Sequence, residues 1–304
     1  MSKTLAIMEI ERFAIHDGPG IRTTVFLQGC PLHCKWCANP ESQKIGTKLL
    51  YLSNKCNGCG DCYRACVYKA ITFEKDRPVF HRDKCVQCRK CEEACLQNAI
   101  HFSGEIMEVD EIVDIILKDK DYYQNSGGGV TVSGGEAFVQ FEGFLALLQK
   151  CKENNLHTAV ETCGQYDVRK IKEAMPLLDL FLFDLKHANA QQLYEYTGGN
   201  LEQILENIQY IASIDPNKII LRVPVLPGFN FDEQSINDIF NLAVEFGITN
   251  IHLLPYHTLG MSKYEQLGLN YDYAIKNKKS ILKEELTPYQ KMGEEKGLKI
   301  QIGG

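Results

Sequence analysis

No stretch of this 304-residue chain approaches the roughly 18 consecutive apolar residues that a membrane-spanning helix needs. An export signal is also missing at the start. Glu9 and Glu11 interrupt the apolar run of residues 1–15, and no small-residue cleavage site follows it, so a cytoplasmic protein is expected. Positive charge is scarce: 33 Lys and Arg against 39 Asp and Glu leave a net charge of -6 and a pI near 5.8. The dense basic run, Lys276 to Lys279, is followed by Glu284 and Glu285 and reads as a solvated helix face. Proteins that track a nucleic-acid backbone carry a basic face; nucleic acid, tRNA included, is not expected as a partner.

Cysteine, by contrast, is abundant. Eleven of the 13 cysteines fall between Cys30 and Cys95. In a long chain without an export signal such clustering points to metal binding rather than disulfides. Cys151 sits in a helical pattern (Phe138, Phe141, Leu145, Leu148) and reads as a small core hydrophobe. Residues 51–104 are turn-rich and cysteine-dense. From Glu105 onward, short apolar runs at 130–132, 158–160, 180–185, 219–225 and 251–254 alternate with helical patterns near 167–175, 201–212 and 232–246. With the earlier strand Thr23 to Leu27, these units predict an α/β fold, a partial TIM-type (β/α)6 barrel over residues 1–50 and 105–304. The segment 51–104 is then an insertion between the first and second units.

That insertion repeats itself. Cys56-Asn-Gly-Cys59-Gly-Asp-Cys62-Tyr-Arg-Ala-Cys66 is echoed by Cys85-Val-Gln-Cys88-Arg-Lys-Cys91-Glu-Glu-Ala-Cys95, and the copies end in Ala70-Ile71 and Ala99-Ile100. Both follow C-x2-C-x2-C-x3-C, the spacing of two-cluster [4Fe-4S] ferredoxins, in which the fourth cysteine ligates the other cluster. Cys56, Cys59 and Cys62 are therefore expected with Cys95, and Cys85, Cys88 and Cys91 with Cys66. Val67 and Leu96 stand where a proline usually follows the fourth cysteine. Structural zinc also takes four thiolates, but normally as two C-x2-C pairs separated by a longer loop.

A third group, Cys30-Pro-Leu-His-Cys34-Lys-Trp-Cys37, supplies only three thiolates, which leaves one iron of a cubane open to a ligand. This C-x3-C-x2-C spacing, with Trp36 before the last cysteine, resembles the radical SAM superfamily signature. The resemblance implies an iron that chelates S-adenosylmethionine (SAM), whose reductive cleavage gives methionine and a 5′-deoxyadenosyl radical. Ser133-Gly134-Gly135-Glu136 is similar to the superfamily's GGE motif, and Glu136 is expected to accept from the methionyl ammonium. Glu161-Thr-Cys163-Gly and Asp184-Leu-Lys186 resemble stretches around the SAM carboxylate. Glu161 and Asp184 are candidates to hold a monovalent cation there, with salt-bridged strand ends as the alternative. Arg222 is expected near the SAM ribose or carboxylate and His257 near the adenosine. Trp36 is a candidate SAM contact or plain core packing.

His16-Asp17-Gly18-Pro19-Gly20-Ile21-Arg22, with Asn39-Pro40-Glu41 and Gly260-Met-Ser-Lys263-Tyr264, is similar to the glycyl radical enzyme activating enzymes, the group that includes pyruvate formate-lyase activating enzyme. That resemblance implies three [4Fe-4S] clusters and abstraction of a Cα hydrogen from a glycine of a partner glycyl radical enzyme. It also implies a flavodoxin or ferredoxin as electron donor, a monomeric chain, and Asp17 against the partner's glycine-bearing loop. The alternatives are a radical SAM enzyme acting on a small molecule or peptide, and a non-catalytic ferredoxin-type carrier.

Overall fold

The computed structural model describes residues 3–271, 273 and 280–303; the basic run 276–279 lies outside them. Strand β1 (Thr4–Ala14) leads into β2 (Arg22–Leu27). The chain then makes an excursion through β3 (Lys48–Tyr51), α1 (Asp61–Ala65), β4 (Ile71–Glu74), β5 (Arg77–Phe80), α2 (Lys90–Glu93) and β6 (Ile100–Ser103) before β7 (Glu105–Glu108). Helices α3 (Val109–Leu117) and α4 (Lys120–Ser126) precede β8 (Gly129–Gly134). Strands and helices then alternate: α5 (Phe141–Glu153), β9 (Thr158–Thr162), α6 (Val168–Ala174), β10 (Leu180–Asp184), α7 (Ala190–Thr197), α8 (Leu201–Ile214), β11 (Ile219–Val225), α9 (Glu233–Glu245), β12 (Asn250–Pro255), α10 (Met261–Leu267), α11 (Thr287–Glu295) and β13 (Lys299–Ile302).

The main sheet has nine strands in the order β13-β12-β11-β10-β9-β8-β2-β1-β7. From β2 through β13 every neighbouring pair is parallel, while β1 pairs antiparallel with β2 and β7. The expectation of six parallel strands is corrected to seven, with two antiparallel strands at the other edge. Lys299-Ile-Gln-Ile302 escaped notice because a four-residue edge strand with two exposed side chains has no apolar run to reveal it. Strand β1 hides for a similar reason, since it carries Glu9, Glu11 and Arg12.

Side chains alternate across each strand. On one face Val132, Val160, Phe181, Leu221 and Leu253 are buried under the helices with Ile112, Phe144, Ile208 and Phe240. The other face is different. It carries a small apolar layer, Ala159, Leu180, Leu182 and Ile220, and above it the polar residues Ser133, Glu161, Asp184 and Arg222. Asn189, Asn200 and Asp232 cap α7, α8 and α9 by accepting from backbone N–H groups two or three residues into each helix.

At the opposite end of β2, the loop of residues 17–20 is fastened by Arg22, whose side chain is fully buried. Its Nε donates to Thr131 Oγ1 (2.6 Å), Nη2 to the Val130 carbonyl (2.7 Å) and Nη1 to the Pro19 carbonyl (3.1 Å). Burial lowers its pKa to about 10. Gly20 has φ +69°, and a Cβ there would meet Gly128 N at 2.5 Å, so the turn accepts no larger residue without moving β8.

The excursion is closed by β3 pairing antiparallel with β6, from Lys48 opposite Ser103 to Tyr51 opposite Ile100. It has its own apolar centre of Leu49, Ile71, Ile100 and Phe102 with Cys62 and Cys91. The sequence repeat has a backbone counterpart. Gly58 and Gln87, Gly60 and Arg89, and Lys69 and Asn98 all have positive φ at a constant offset of 29 residues. In both copies an alanine N–H donates to the fourth cysteine: Ala70 to Cys66 Sγ and Ala99 to Cys95 Sγ, each at 3.3 Å.

No helix among the described residues is long and apolar enough to cross a membrane. Arg22→Leu is expected to lower stability by about 3 kcal/mol in chemical denaturation, because the buried Val130 carbonyl and Thr131 hydroxyl lose their donor. A loss under about 1 kcal/mol would contradict this account of the loop.

Candidate active site

Local backbone contacts hold the first cysteine loop in place. Gly29 N donates to the Ser42 carbonyl (2.7 Å) and Cys30 N to that of Gln43 (3.1 Å), while His33 N and Lys35 N donate to the carbonyls of Thr197 and Tyr196 at the end of α7 (2.9 and 3.1 Å). The loop is therefore strapped on both sides. Cys30, Cys34 and Cys37 line one cavity of about 290 Å³ at the carboxyl ends of the parallel strands, together with Gly134, Gly135, Glu161, Asp184, Arg222 and His257. Five strands spaced about 5 Å apart contribute to this wall, so the sheet has to curl around the cavity.

The two glycines work through the backbone. Gly135 N donates to the Leu27 carbonyl and Glu136 N to that of Gly29, both at 2.8 Å. A Cβ on Gly135 would lie 2.2 Å from the Gly29 oxygen. Any side chain here would separate the end of β8 from the cysteine loop.

Glu136 is not placed as expected. It is fully buried, does not line the cavity, and accepts from Thr162 Oγ1 (2.8 Å), Cys163 N (2.9 Å), Cys163 Sγ (3.1 Å) and Phe138 N (3.3 Å). Its carboxylate ties the end of β9 to the end of β8. Burial raises its pKa against the pull of these donors.

A charged row crosses the inner wall. Arg222 is paired with Glu161, and its Nε lies 3.2 Å from Asp184 Oδ1; Lys186 Nζ donates to Asp184 Oδ2 at 2.9 Å, and Ser133 Oγ donates to Glu161. The place between Glu161 and Asp184 expected for a monovalent cation is thus held by the Arg222 guanidinium. Of the two readings, salt-bridged strand ends are what the structure displays. Burial opposes the charge on Asp184, but Lys186 and Arg222 outweigh it and hold the carboxyl below its ordinary value. For Glu161 burial prevails and the pKa rises.

Cys163 is a further thiol on the wall. It donates to Glu136, and its hydrogen bond to Cys30 lowers the Cys30 pKa against the effect of burial. Burial raises Cys34 to about 12 and also raises Cys37. Trp36 both lines the cavity and packs on Phe229 (ring centroids 4.7 Å apart) and Tyr273 (5.6 Å). His257 is exposed at the mouth. Asp17 does not line the cavity; its carboxylate accepts from Thr24 Oγ1 at 2.6 Å.

In the excursion, Cys56, Cys59, Cys62 and Cys95 surround one small cavity, and Cys66, Cys85, Cys88 and Cys91 surround another. Each cavity gathers three cysteines of one repeat and the fourth of the other. Among the described residues no three His, Cys, Asp or Glu side chains converge closely enough for a single metal ion; these thiols stand apart around a space.

Three contributions escaped the sequence reading. Ser133 and Tyr271 line the cavity, and Tyr271 OH lies 2.9 Å from Tyr256 OH. Lys263 Nζ donates to Asn39 Oδ1 (2.8 Å) and Glu41 Oε1 (2.6 Å), tying α10 to the segment after the cysteine loop. Ser133 was legible from its place in the SGGE motif. Pairings between distant segments leave no local pattern.

Three thiols and a row of charged groups meet at the carboxyl edge of a mostly parallel α/β sheet, the edge at which enzymes of this architecture hold their ligands. Residues 24–239 match the Radical SAM superfamily. The chain is 38% identical to the 4-hydroxyphenylacetate decarboxylase activating enzyme of Clostridioides difficile (strain CD196), over 98% of this chain and 95% of that protein. It is 40% identical to the (2S)-3-sulfopropanediol sulfolyase activating enzyme of Bilophila wadsworthia, over 89% and 91%. A solved radical SAM methyltransferase from Sphaerobacter thermophilus shares the fold at 12% identity, with a TM-score of 0.54 over 92% of this chain and 66% of that one. The chain belongs to the radical SAM superfamily and, within it, to the glycyl radical enzyme activating enzymes.

Replacing Glu136 with Ala is expected to destabilise the chain by about 2–4 kcal/mol in denaturant titration, since Thr162 Oγ1 and Cys163 N lose a buried acceptor. Glu136→Gln, which keeps one carbonyl oxygen, should lose less. Equal losses would show that acceptance is not the role of this side chain.

Proposed function

We propose that Cys30, Cys34 and Cys37 hold a [4Fe-4S] cluster with one open iron and that SAM occupies the 290 Å³ cavity beside it. The observation that carries this reading is the meeting of three thiols, the Gly134-Gly135 backbone and the charged row of Glu161, Arg222, Asp184 and Lys186 on one wall. A zwitterionic, sulfonium-bearing ligand needs such a mixture of charge and exposed peptide groups. When bound, the cluster supplies the electron that cleaves SAM, and the resulting 5′-deoxyadenosyl radical takes a Cα hydrogen from a glycine of a partner protein. The residues of this chain position and shield. The backbone at Gly134 and Gly135 sets how closely the methionyl end approaches the thiols. Arg222 and Lys186 offer positive charge to the carboxylate, and Trp36, Tyr256 and His257 bound the nucleoside side. Asp17, with its carboxylate held by Thr24, fastens the turn of residues 17–20 at the start of β2.

Residues 51–104, closed by the β3–β6 pair, are read as a ferredoxin-like domain with two further [4Fe-4S] clusters on the thiol groups described above. When bound, these clusters would supply a route for electrons from a flavodoxin or ferredoxin. The excursion interrupts the strand series after β2, whereas auxiliary clusters of small-molecule and peptide maturases usually follow the barrel; this supports the activating-enzyme reading.

Reconstituted under anaerobic conditions, the protein is expected to bind about 12 iron per chain, three sets of four. With dithionite and SAM it should release 5′-deoxyadenosine, and with a cognate partner it should produce a glycyl doublet in EPR. Cys34→Ala should abolish both products and remove about four iron. Cys163→Ser should keep all the iron and the response of the cluster signal to SAM, because that thiol is engaged by Glu136; a wild-type cluster that does not respond to SAM until Cys163 is replaced would mean a fourth thiolate and no open iron.

A further inference from the structure

The excursion carries a charge opposite to the rest of the chain. Residues 48–103 hold ten Lys and Arg against six Asp and Glu, a net +4, which leaves 23 against 33, a net -10, for the remainder. The two thiol cavities differ as well. The one around Cys56, Cys59, Cys62 and Cys95 has no charged side chain in its wall other than the thiols, whereas Arg82, Arg89 and Lys90 line the one around Cys66, Cys85, Cys88 and Cys91, with no carboxylate among its lining residues. Arg82 is committed to the Leu49 and Gln266 carbonyls and so faces inward, toward α10. Lys90 is exposed, as are Lys69 and Lys84, which neighbour this cavity in sequence. Two large apolar side chains of the same wall also face solvent, Tyr68 at 53% and Val86 at 55% exposure, and Cys88 is an exposed thiol. Acidic groups are present too. Asp83 and Glu93 are exposed, and Glu92 is turned inward to Phe102 N (2.9 Å) and lies 3.6 Å from Arg89.

We propose that this face, Tyr68 and Val86 bordered by Lys69, Lys84 and Lys90, docks an acidic one-electron carrier protein and that electrons enter the chain at the Cys66/Cys85/Cys88/Cys91 site. The proposal rests on the reading of residues 51–104 as an electron-carrying domain and adds where its donor binds. Charge complementarity carries it. A negative carrier is repelled by a remainder of net -10 and drawn to the excursion, with its net +4, and long-range steering of this kind raises association rates by tenfold or more at low ionic strength. A few apolar side chains within a charged border also suit a short-lived encounter that must release after each electron. In each encounter the carrier loses one electron and the chain gains one; no bond is made and no proton is moved.

The double variant Lys69→Asn/Lys84→Glu tests it. Neither side chain lines a cavity, and Asn suits the positive φ at position 69. Under stopped-flow conditions with reduced acidic flavodoxin as the probe, the second-order rate of reduction of the iron-sulfur chromophore is expected to fall about tenfold at low salt and to approach wild type at about 0.5 M salt. A control with the same change of charge outside the excursion, Lys291→Glu/Lys299→Asn, should lose less than about twofold. Release of 5′-deoxyadenosine with dithionite should be unchanged in all three proteins, which also reports that the variants are folded. Equal flavodoxin rates for wild type and the excursion variant overturn the proposal. So does a defect that appears only in glycyl radical formation driven by dithionite, since the face would then serve the partner enzyme. Absence of 5′-deoxyadenosine from the wild type would instead refute the underlying functional reading.

Discussion

Everything at the mouth of the sheet depends on how closely two peptide segments approach. The end of β8 lies against the turn that begins the first cysteine loop, with Gly135 and Glu136 donating to the carbonyls of Leu27 and Gly29. Because neither Gly134 nor Gly135 has a Cβ, thiols emerging from β2 and charged side chains emerging from β9, β10 and β11 face a single cavity. The approach is maintained from behind by Glu136, whose buried carboxylate gathers Thr162 and Cys163, so the ends of three neighbouring strands move as one unit. Contacts that bring no chemistry of their own thus determine where the chemistry occurs.

The charged row illustrates a second economy. Glu161, Asp184, Arg222 and Lys186 are two carboxylates and two cations whose formal charges cancel. Placing four ionisable groups on the inner face of a sheet is costly in the absence of partners. Here each has one, and the row remains polar without requiring a counter-ion. A ligand that enters with both signs of charge exchanges one set of partners for another rather than paying to strip bare ions of water.

Much of this was readable in the chain itself, and the reason is spacing. Cysteine quartets, the C-x3-C-x2-C loop and the apolar runs of β8 to β12 are local patterns, each complete within a dozen residues, and the structure places them as their spacing predicts. Less was legible where the deciding contact is non-local. Glu136 has the sequence position of a ligand-binding residue, but Thr162 and Cys163, 26 and 27 positions later, claim its oxygens. Glu161 and Asp184 share Arg222, 61 and 38 positions further on, a pairing that no local pattern announces. Strands β1, β7 and β13 were missed because half-exposed, charged strands have little apolar signal.

Lys48 and Ser103 are opposite one another in the β3–β6 ladder, so the 54 residues between them leave and return through a doorway about 5 Å wide. Seen from the main sheet, the excursion is a side branch that leaves and returns at one place and is steadied by the bond from Arg82 to the Gln266 carbonyl of α10, and the strand order on either side of it is indifferent to what hangs there. Such an attachment can be lengthened, exchanged or trimmed over generations with no change of register in the sheet, which offers a physical route by which one catalytic scaffold acquires different wiring.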